Sequence, residues 1–193
     1  MTWFHYLMHK QPSPPWRTVS SDIAHRNPWF VLHRDEVIRP DGEPGQYYHV
    51  RSPGAVTVLA IDETDHVLVT RQWIYTHGGA QWRLPAGAID DTDADPFAAA
   101  RRELAEETGF RADTLRPLGR ISGCDSFSDH VDHVFVATGL TPGPPRPAGG
   151  ELDLTTHWLD FAEGLALVRR GEMRHAPSAH AFLTVALDRA TRD

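Results

Sequence analysis

The sequence predicts an α/β fold: a mixed sheet packed between helices as an α/β/α sandwich, with a small β segment in front of it. Three observations carry this reading. Strand-like runs stand before and after one sharply bounded amphipathic helix, two helical segments close the chain, and neither an internal repeat nor a long apolar run breaks the pattern. At 193 residues the chain is long enough for one well-cored domain with a small appendage.

Residues 1–26 hold Pro12, Pro14 and Pro15 and little periodicity, which reads as an arm of low intrinsic order. From Trp29 the runs WFVLHRDEVI and YYHVRS flank the turn PDGEPG, and the Asp41-Gly42 pair with its β-branched and aromatic flanks predicts a hairpin. This arm and β segment take residues 1–52, and the main domain takes 53–193. In the main domain AVTVLAID at 55–62 and HVLVTRQW at 66–73 predict two strands joined by a short polar turn. Further strands are expected at 116–121, 131–138 and 155–159, and the last two are separated by TPGPPRPAGGELDL, an exposed Pro- and Gly-rich loop. Helices are expected from about Asp160 to Arg170, stopped by Gly171, and from about Pro177 to Arg189, with Phe182, Val185 and Leu187 toward a core.

The central helix is the best signalled element. Asp95 suits the N-cap, Pro96 the first helical position and Gly109 a left-handed C-cap. Phe97, Leu104 and Thr108 fall on one side and the carboxylates of RRELAEETGF roughly on the other. Glu103 stands three residues from Glu106 and four from Glu107, so the three side chains occupy neighbouring turns and repel one another unless a cation lies between them. A solvated acidic face held by Arg101 and Arg102 is the plain alternative. A hard divalent metal is the reading that explains all three, with Glu103 and Glu107 as ligands and Glu106 sharing a second ion or a bridging water.

Composition narrows the partners. The chain is 40% hydrophobic and 23% charged, with a mean hydropathy of −0.41, as in an ordinary soluble globular protein. Apolar runs fall short of the roughly 18 residues a membrane span needs, and MTWFHYLMHK lacks the basic and apolar regions of a secretory signal, so no membrane partner is expected. A single cysteine, Cys124, excludes an internal disulfide and fits a reducing cytoplasm. The net charge of −7 argues against a nucleic-acid binder, whose affinity comes from clustered basic residues. Lys10 is the only lysine, and arginines placed singly suit bidentate contacts to a small phosphorylated ligand.

The run LPAGAIDDTDADPFAAARRELAEETGF over 84–110 resembles the Nudix box, G-x5-E-x7-R-E-U-x-E-E-x-G-U with U aliphatic or aromatic, here spanning 87–110. Arg102, Glu103, Leu104, Glu106, Glu107, Gly109 and Phe110 match its second half. Gly87 to Arg102 is one residue longer than the consensus, and Ala94, flanked by Asp93 and Asp95, replaces the first Glu. That Glu braces the helix through the box Arg in the family, so the departure bears on stability and loop shape, and a nearby Asp could take over the bracing.

The resemblance extends over roughly 27–190 to ADP-ribose pyrophosphatases, through NPWFVLHRDEVIRPDG, VRSPGAVTVLAID, VLVTRQW, WRLPAG and FSDHVDHVFVATGL. It implies the Nudix fold and metal-dependent hydrolysis of the diphosphate of a nucleoside diphosphate sugar, with Mg2+ as cofactor and Mn2+ able to substitute. It also implies that the backbone carbonyl of Ala86 joins Glu103, Glu106 and Glu107 as a metal ligand, with Glu106 and Glu107 serving catalysis. Glu151, in the Pro- and Gly-rich loop, resembles the loop glutamate that holds or activates the attacking water. The N-terminal β segment would pair across a homodimer, Trp29 would stack on a base and Arg51 would contact the base or the phosphates. For Trp29 and Arg51 a core tryptophan and a sheet-edge charge are the plain alternatives.

Three departures loosen the substrate. The family's RQxR stands here as Arg71-Gln72-Trp73-Ile74, which keeps Arg71 as a substrate contact and loses the second arginine, a phosphate contact in relatives. The loop after the helix carries Ser128-Asp129-His130 where relatives have Ser-Asp-Glu, and the box holds its insertion. Ser128 and His130 remain substrate contacts by position, with His130 as an auxiliary base or phosphate contact. A zinc reading of His130 and His133, with nearby Asp129 or Asp132, requires the strand to bend, since residues three apart point to opposite faces, and Cys124 is too isolated to complete a site. A ligand sensor that binds a nucleotide sugar without cleaving it, or a hydrolase of another nucleotide or biosynthetic intermediate, are the rival functions.

Overall fold

A computed structural model describes residues 15–146 and 149–191. The expected arm over residues 1–14, with Pro12 and Pro14, lies outside the described residues. The described residues divide into two compact units, one within residues 1–52 and 126–128 and the other within residues 53–125 and 129–193.

The first unit is a three-stranded antiparallel sheet, β1 (Arg17–Arg26), β2 (Val31–Ile38) and β3 (Pro44–Arg51), in that order. The expected hairpin is β2-β3. Its turn closes by Gly42 N donating to Arg39 O at 2.9 Å and Glu43 N to Asp41 Oδ1 at 3.0 Å. The expectation of an unstructured arm through residue 26 is corrected, because Arg17–Arg26 pairs with β2 along its length. Every residue of β1 is exposed, so the strand forms by pairing rather than burial and carries no hydrophobic alternation for a sequence reading to find. Residues 126–128 join this unit through β3, where Val50 N donates to Phe127 O at 2.8 Å and Tyr47 Oη to Ser126 O at 2.5 Å.

The second unit is a seven-stranded mixed sheet between helices. It runs β4 (Ala55–Ile61), β5 (His66–Ile74), β6 (Gly79–Arg83), β7 (Ala86–Ala88), α1 (Pro96–Thr108), β8 (Arg111–Ile121), β9 (Asp132–Thr141), β10 (Thr155–Asp160), α2 (Phe161–Arg169) and α3 (Ala176–Ala190). The order is β10-β5-β4-β9-β8, with β6 on β5 and β7 on β4, and only β4 and β9 are parallel. Alternation along β4 divides the core. Val56, Val58 and Ala60 pack with Ala99, Ala100 and Leu104 of α1, while Leu59 and Ile61 pack with Phe161, Leu167, Phe182 and Val185 of α2 and α3. Central β4 is covered on both faces, which is why AVTVLAI reads as a continuous apolar run.

Several expectations shift. Neither β6 nor β7 was foreseen: GAQWR and AGA are short and poor in apolar alternation, and they are strands because β5 and β4 offer them partners. Strand β8 begins at Arg111, not 116. Leu187 was expected in the core and is 66% exposed, and Phe97 is 40% exposed while keeping one ring contact with Phe135 at 4.8 Å. Among the described residues no helix is long and apolar enough to cross a membrane.

Candidate active site

Helix α1 starts and stops as its residues dictate. The Asp95 carboxylate accepts from Ala98 N at 2.8 Å, Pro96 opens the helix, and Gly109, at φ 79°, ends it with its N–H on Ala105 O at 2.9 Å. Glu103 and Glu107 lie on the buried side of α1 with Ala99, Ala100, Leu104 and Thr108, at 6% and 5% exposure. The expected separation of an apolar face from an acidic face therefore does not hold for these two. Burying two carboxylates one turn apart costs heavily unless cations and donors compensate.

Part of the compensation is internal. Arg102 reaches Glu103 Oε1 at 2.7 Å and Glu106 Oε2 at 3.1 Å with Nη1, and Ala88 O at 2.9 Å with Nη2. The opposite edge of its guanidinium forks onto Asp93, Nε to Oδ1 at 3.1 Å and Nη2 to Oδ2 at 2.7 Å. Counted forward from Gly87, Asp93 is the sixth residue, so the extra residue of the loop falls after it and the brace is kept with a shorter acid. Asp93 also accepts from Asp90 N at 2.9 Å, which closes the loop on itself. The hydrogen bonds from Arg102 hold the Asp93 carboxyl below the usual carboxylate range in spite of its burial, and Asp93 in turn raises Arg102 above an ordinary arginine.

Strand β7 brings the backbone to the carboxylates. Ala86 N donates to Glu107 Oε2 at 3.1 Å. Gly87 lies so close to Glu103 that a Cβ there would overlap its carboxylate and displace it, so the box glycine lets the backbone approach the carboxylate closely. The sequence reading missed the polar group behind. Arg83, at the end of β6, is in electrostatic reach of Glu107 and Asp132, and burial lowers it while those two carboxylates oppose the change. Burial raises the Asp132 carboxyl, opposed by His130 and Arg83, and His130 Nε2 lies 3.5 Å from Asp132 Oδ2. His175 is pushed down to about 3 by burial and then by Arg83 and His130. It shares a 2.8 Å hydrogen bond with Ser178 Oγ, which also accepts from Leu84 N at 2.9 Å. No local motif marks these groups; only the fold gathers Arg83 at the end of β6, Asp132 at the start of β9 and His175 just before α3.

The remaining expected residues are dispersed. Glu106 borders a cavity of about 410 Å³ with Arg102, Arg111 and Arg146. Arg71, on β5, lies over the Trp82 ring at 5.3 Å and lines another cavity of about 400 Å³ with His77, Arg170 and Arg174. Glu151 closes the turn Gly149–Glu151, and its side chain lies outside the described residues. Trp29, Arg51 and Ser128 belong to the first unit. Trp29 is 74% exposed, its turn held by Asn27 Oδ1 accepting from Trp29 N and Phe30 N at 2.9 Å, so a core role is ruled out; Arg51 is exposed at the end of β3.

The donor set at α1 is all oxygen, as a hard divalent ion requires, and its two most buried members share a face with neighbouring backbone close by.

Known proteins resemble the chain along most of its length. A family profile described as NUDIX domain matches residues 51–182, and one described as nucleoside diphosphate sugar hydrolase N-terminal domain matches residues 16–50. The chain is 35% identical over 169 residues to an ADP-ribose pyrophosphatase of Mycobacterium tuberculosis, covering 87% of this chain and 82% of that protein. It is 24% identical over 165 residues to a GDP-mannose pyrophosphatase of Citrobacter koseri, covering 82% and 80%. A crystal structure of an ADP compounds hydrolase matches with a TM-score of 0.78 at 20% identity, over 92% of this chain and 95% of that one, a likeness of fold.

Proposed function

The chain belongs to the Nudix family and is a pyrophosphohydrolase, and from that premise we propose that it hydrolyses nucleoside diphosphate sugars, ADP-ribose first among them, with Mg2+ as its ion. Water attacks the diphosphate, one P–O bond of the anhydride breaks, and a nucleoside monophosphate and a sugar phosphate leave. The observation that carries the reading is the pair of buried carboxylates, Glu103 and Glu107, facing the backbone of Ala86 and Gly87.

Hydrolases of this family use a divalent metal, which offsets the charge of the diphosphate and supplies a bound water. Glu103, Glu106, Glu107 and the Ala86 carbonyl are the groups that would hold it. Mg2+ is assigned from the oxygen ligands, and Mn2+ satisfies the same preference. Arg102, fixed by Asp93, holds Glu103 and Glu106 in place. Glu151 activates the water, an assignment supported by its loop position. Arg71, Ser128 and His130 contact phosphate or sugar. The exposed Trp29 ring offers a stacking face to a base, and Arg51 a contact to base or phosphate. A homodimer through the N-terminal sheet is supported by edge strand β1, where Val19 and Ile23 are 58% and 50% exposed. The lone cysteine supports a cytoplasmic setting.

The test is product analysis on a panel of nucleotide sugars with Mg2+ or with chelator. Monophosphate and sugar phosphate from ADP-ribose, lost with chelator, are expected. Binding of the panel without cleavage would instead establish the sensor.

A further inference from the structure

We propose that His33, Asp35 and His49, on the three-stranded sheet, form a second metal site, selective for a transition ion of the zinc type. The strand period puts His33 and Asp35 on one face of β2, and the register sets His49 of β3 directly opposite His33. One ligand atom from each lies within 4.8 Å of the other two, and all three side chains are half-buried. Asp35 and His49 are 14% and 20% exposed, well shielded for a small, otherwise open sheet.

Two observations go beyond an ordinary ion pair. Asp35 Oδ2 meets His49 Nε2 at 3.0 Å, which would satisfy a simple pair, yet His33 brings a second imidazole to the same cluster, its ring centroid 5.2 Å from that of His49 with planes 13° off parallel, so that one ring must turn to bring both lone pairs onto an ion. Asp35 Oδ1 is buried and accepts no hydrogen bond. The Ser21 hydroxyl meets hydrogen-bond geometry at His33 Nδ1, at 3.2 Å. A hydroxyl on the other nitrogen of a ligating imidazole is a common way to fix its tautomer and orientation.

Two imidazoles and one carboxylate are the donors that Zn2+, Co2+ and Ni2+ prefer and that Mg2+ does not. Bonds of about 2.0–2.1 Å in a tetrahedral site place ligand atoms about 3.4 Å apart, so closing from the present spacing takes side-chain rotation with the strand register unchanged. Water fills the fourth position. Such an ion clips β2 to β3, and it differs in kind from the all-oxygen set at α1. The site rests only on the first unit and stands whether or not the proposed hydrolysis does.

The full chain, stripped with chelator, is equilibrated with Co2+ or Zn2+ in a large excess of Mg2+, and bound metal is counted by elemental analysis, with the visible Co2+ spectrum as a ligand-field readout. The expected result is one transition ion per chain in the parent and in the double variant Glu103→Gln, Glu107→Gln. His33→Asn and His49→Gln, each checked for folding by circular dichroism, should each weaken binding by at least about tenfold and abolish the spectrum. Asp35→Asn, which keeps the side-chain shape, should do the same. Retention of the ion by the folded histidine variants, its loss in the glutamate variant, or no ion in the parent would each overturn the proposal.

Discussion

Asp93→Asn probes the substitution that lets this box work without its first glutamate. Asparagine keeps the shape but presents an amide N–H2 to one side of the Arg102 fork, so the bonds at 2.7 and 3.1 Å cannot both survive. A charged hydrogen bond is worth about 1.5–3 kcal/mol, and a fully buried pair broken on one side costs about 3–5. The Asp93 side chain is only 6% exposed, but that of Arg102 is 24% exposed and keeps Glu103, Glu106 and Ala88 O, so the lower range applies. In a chain of 193 residues this lowers the melting temperature by about 3–12 °C. With Arg102 loosened, Glu103 and Glu106 lose their common anchor, and kcat/KM should fall about tenfold.

The pH dependence follows from the direction of the shift. The folded Asp93 carboxyl lies below its unfolded value, so its contribution is fully present above about pH 4 and is lost as pH falls through the folded value. Scanning calorimetry of parent and variant against pH should therefore show a gap that is constant near neutrality and closes in acid. Melting within about 1 °C of the parent at neutral pH, or a gap that widens in acid, would refute the bracing role.

Further outcomes are expected elsewhere in the site. Glu107→Gln keeps an acceptor for Ala86 N but removes the charge, so turnover should fall by about two to four orders of magnitude while the fold stays intact by circular dichroism; full activity would remove Glu107 from the site. Gly87→Ala pushes a methyl into the Glu103 carboxylate and should depress kcat by about a hundredfold while the chain still folds, which steady-state kinetics and circular dichroism would check together. His175, pushed down to about 3, should show no imidazole titration by NMR across about pH 5–8. Between about pH 6.5 and 3 the unfolded chain takes a proton that the folded one refuses, so stability should fall as the pH is lowered through this window, and less so in His175→Gln.

What the sequence made legible is what is local. The caps and carboxylate spacing of α1 lie within one short run, as do the strand pairs β2-β3 and β4-β5, and the structure has them as expected. Nudix membership and the hydrolase class rested on that run as well. What stayed hidden depends on partners distant in the chain. Strand β1 is exposed throughout and exists only as a neighbour of β2, and β7 is three residues long and exists only against β4. Burial of Glu103 and Glu107 came as a difference, because a helical wheel orders residues around an axis and does not say where β7 will cross it. Arg83, Asp132 and His175 carry no spacing signal. Asp93 was visible as a neighbour of the missing glutamate, but that it meets Arg102 with both oxygens required the folded loop.

The central claim, that Glu103 and Glu107 are buried together in order to hold a divalent ion for diphosphate hydrolysis, is tested most directly by calorimetric titration of Mg2+ with a slowly cleaved ADP-ribose analogue present. Mg2+ is the proper ion because the histidine-containing site does not favour it. Uptake by the parent, and its loss in the double variant Glu103→Gln, Glu107→Gln, is the result expected. Absence of uptake in the parent, or equal uptake in both proteins, would contradict the account.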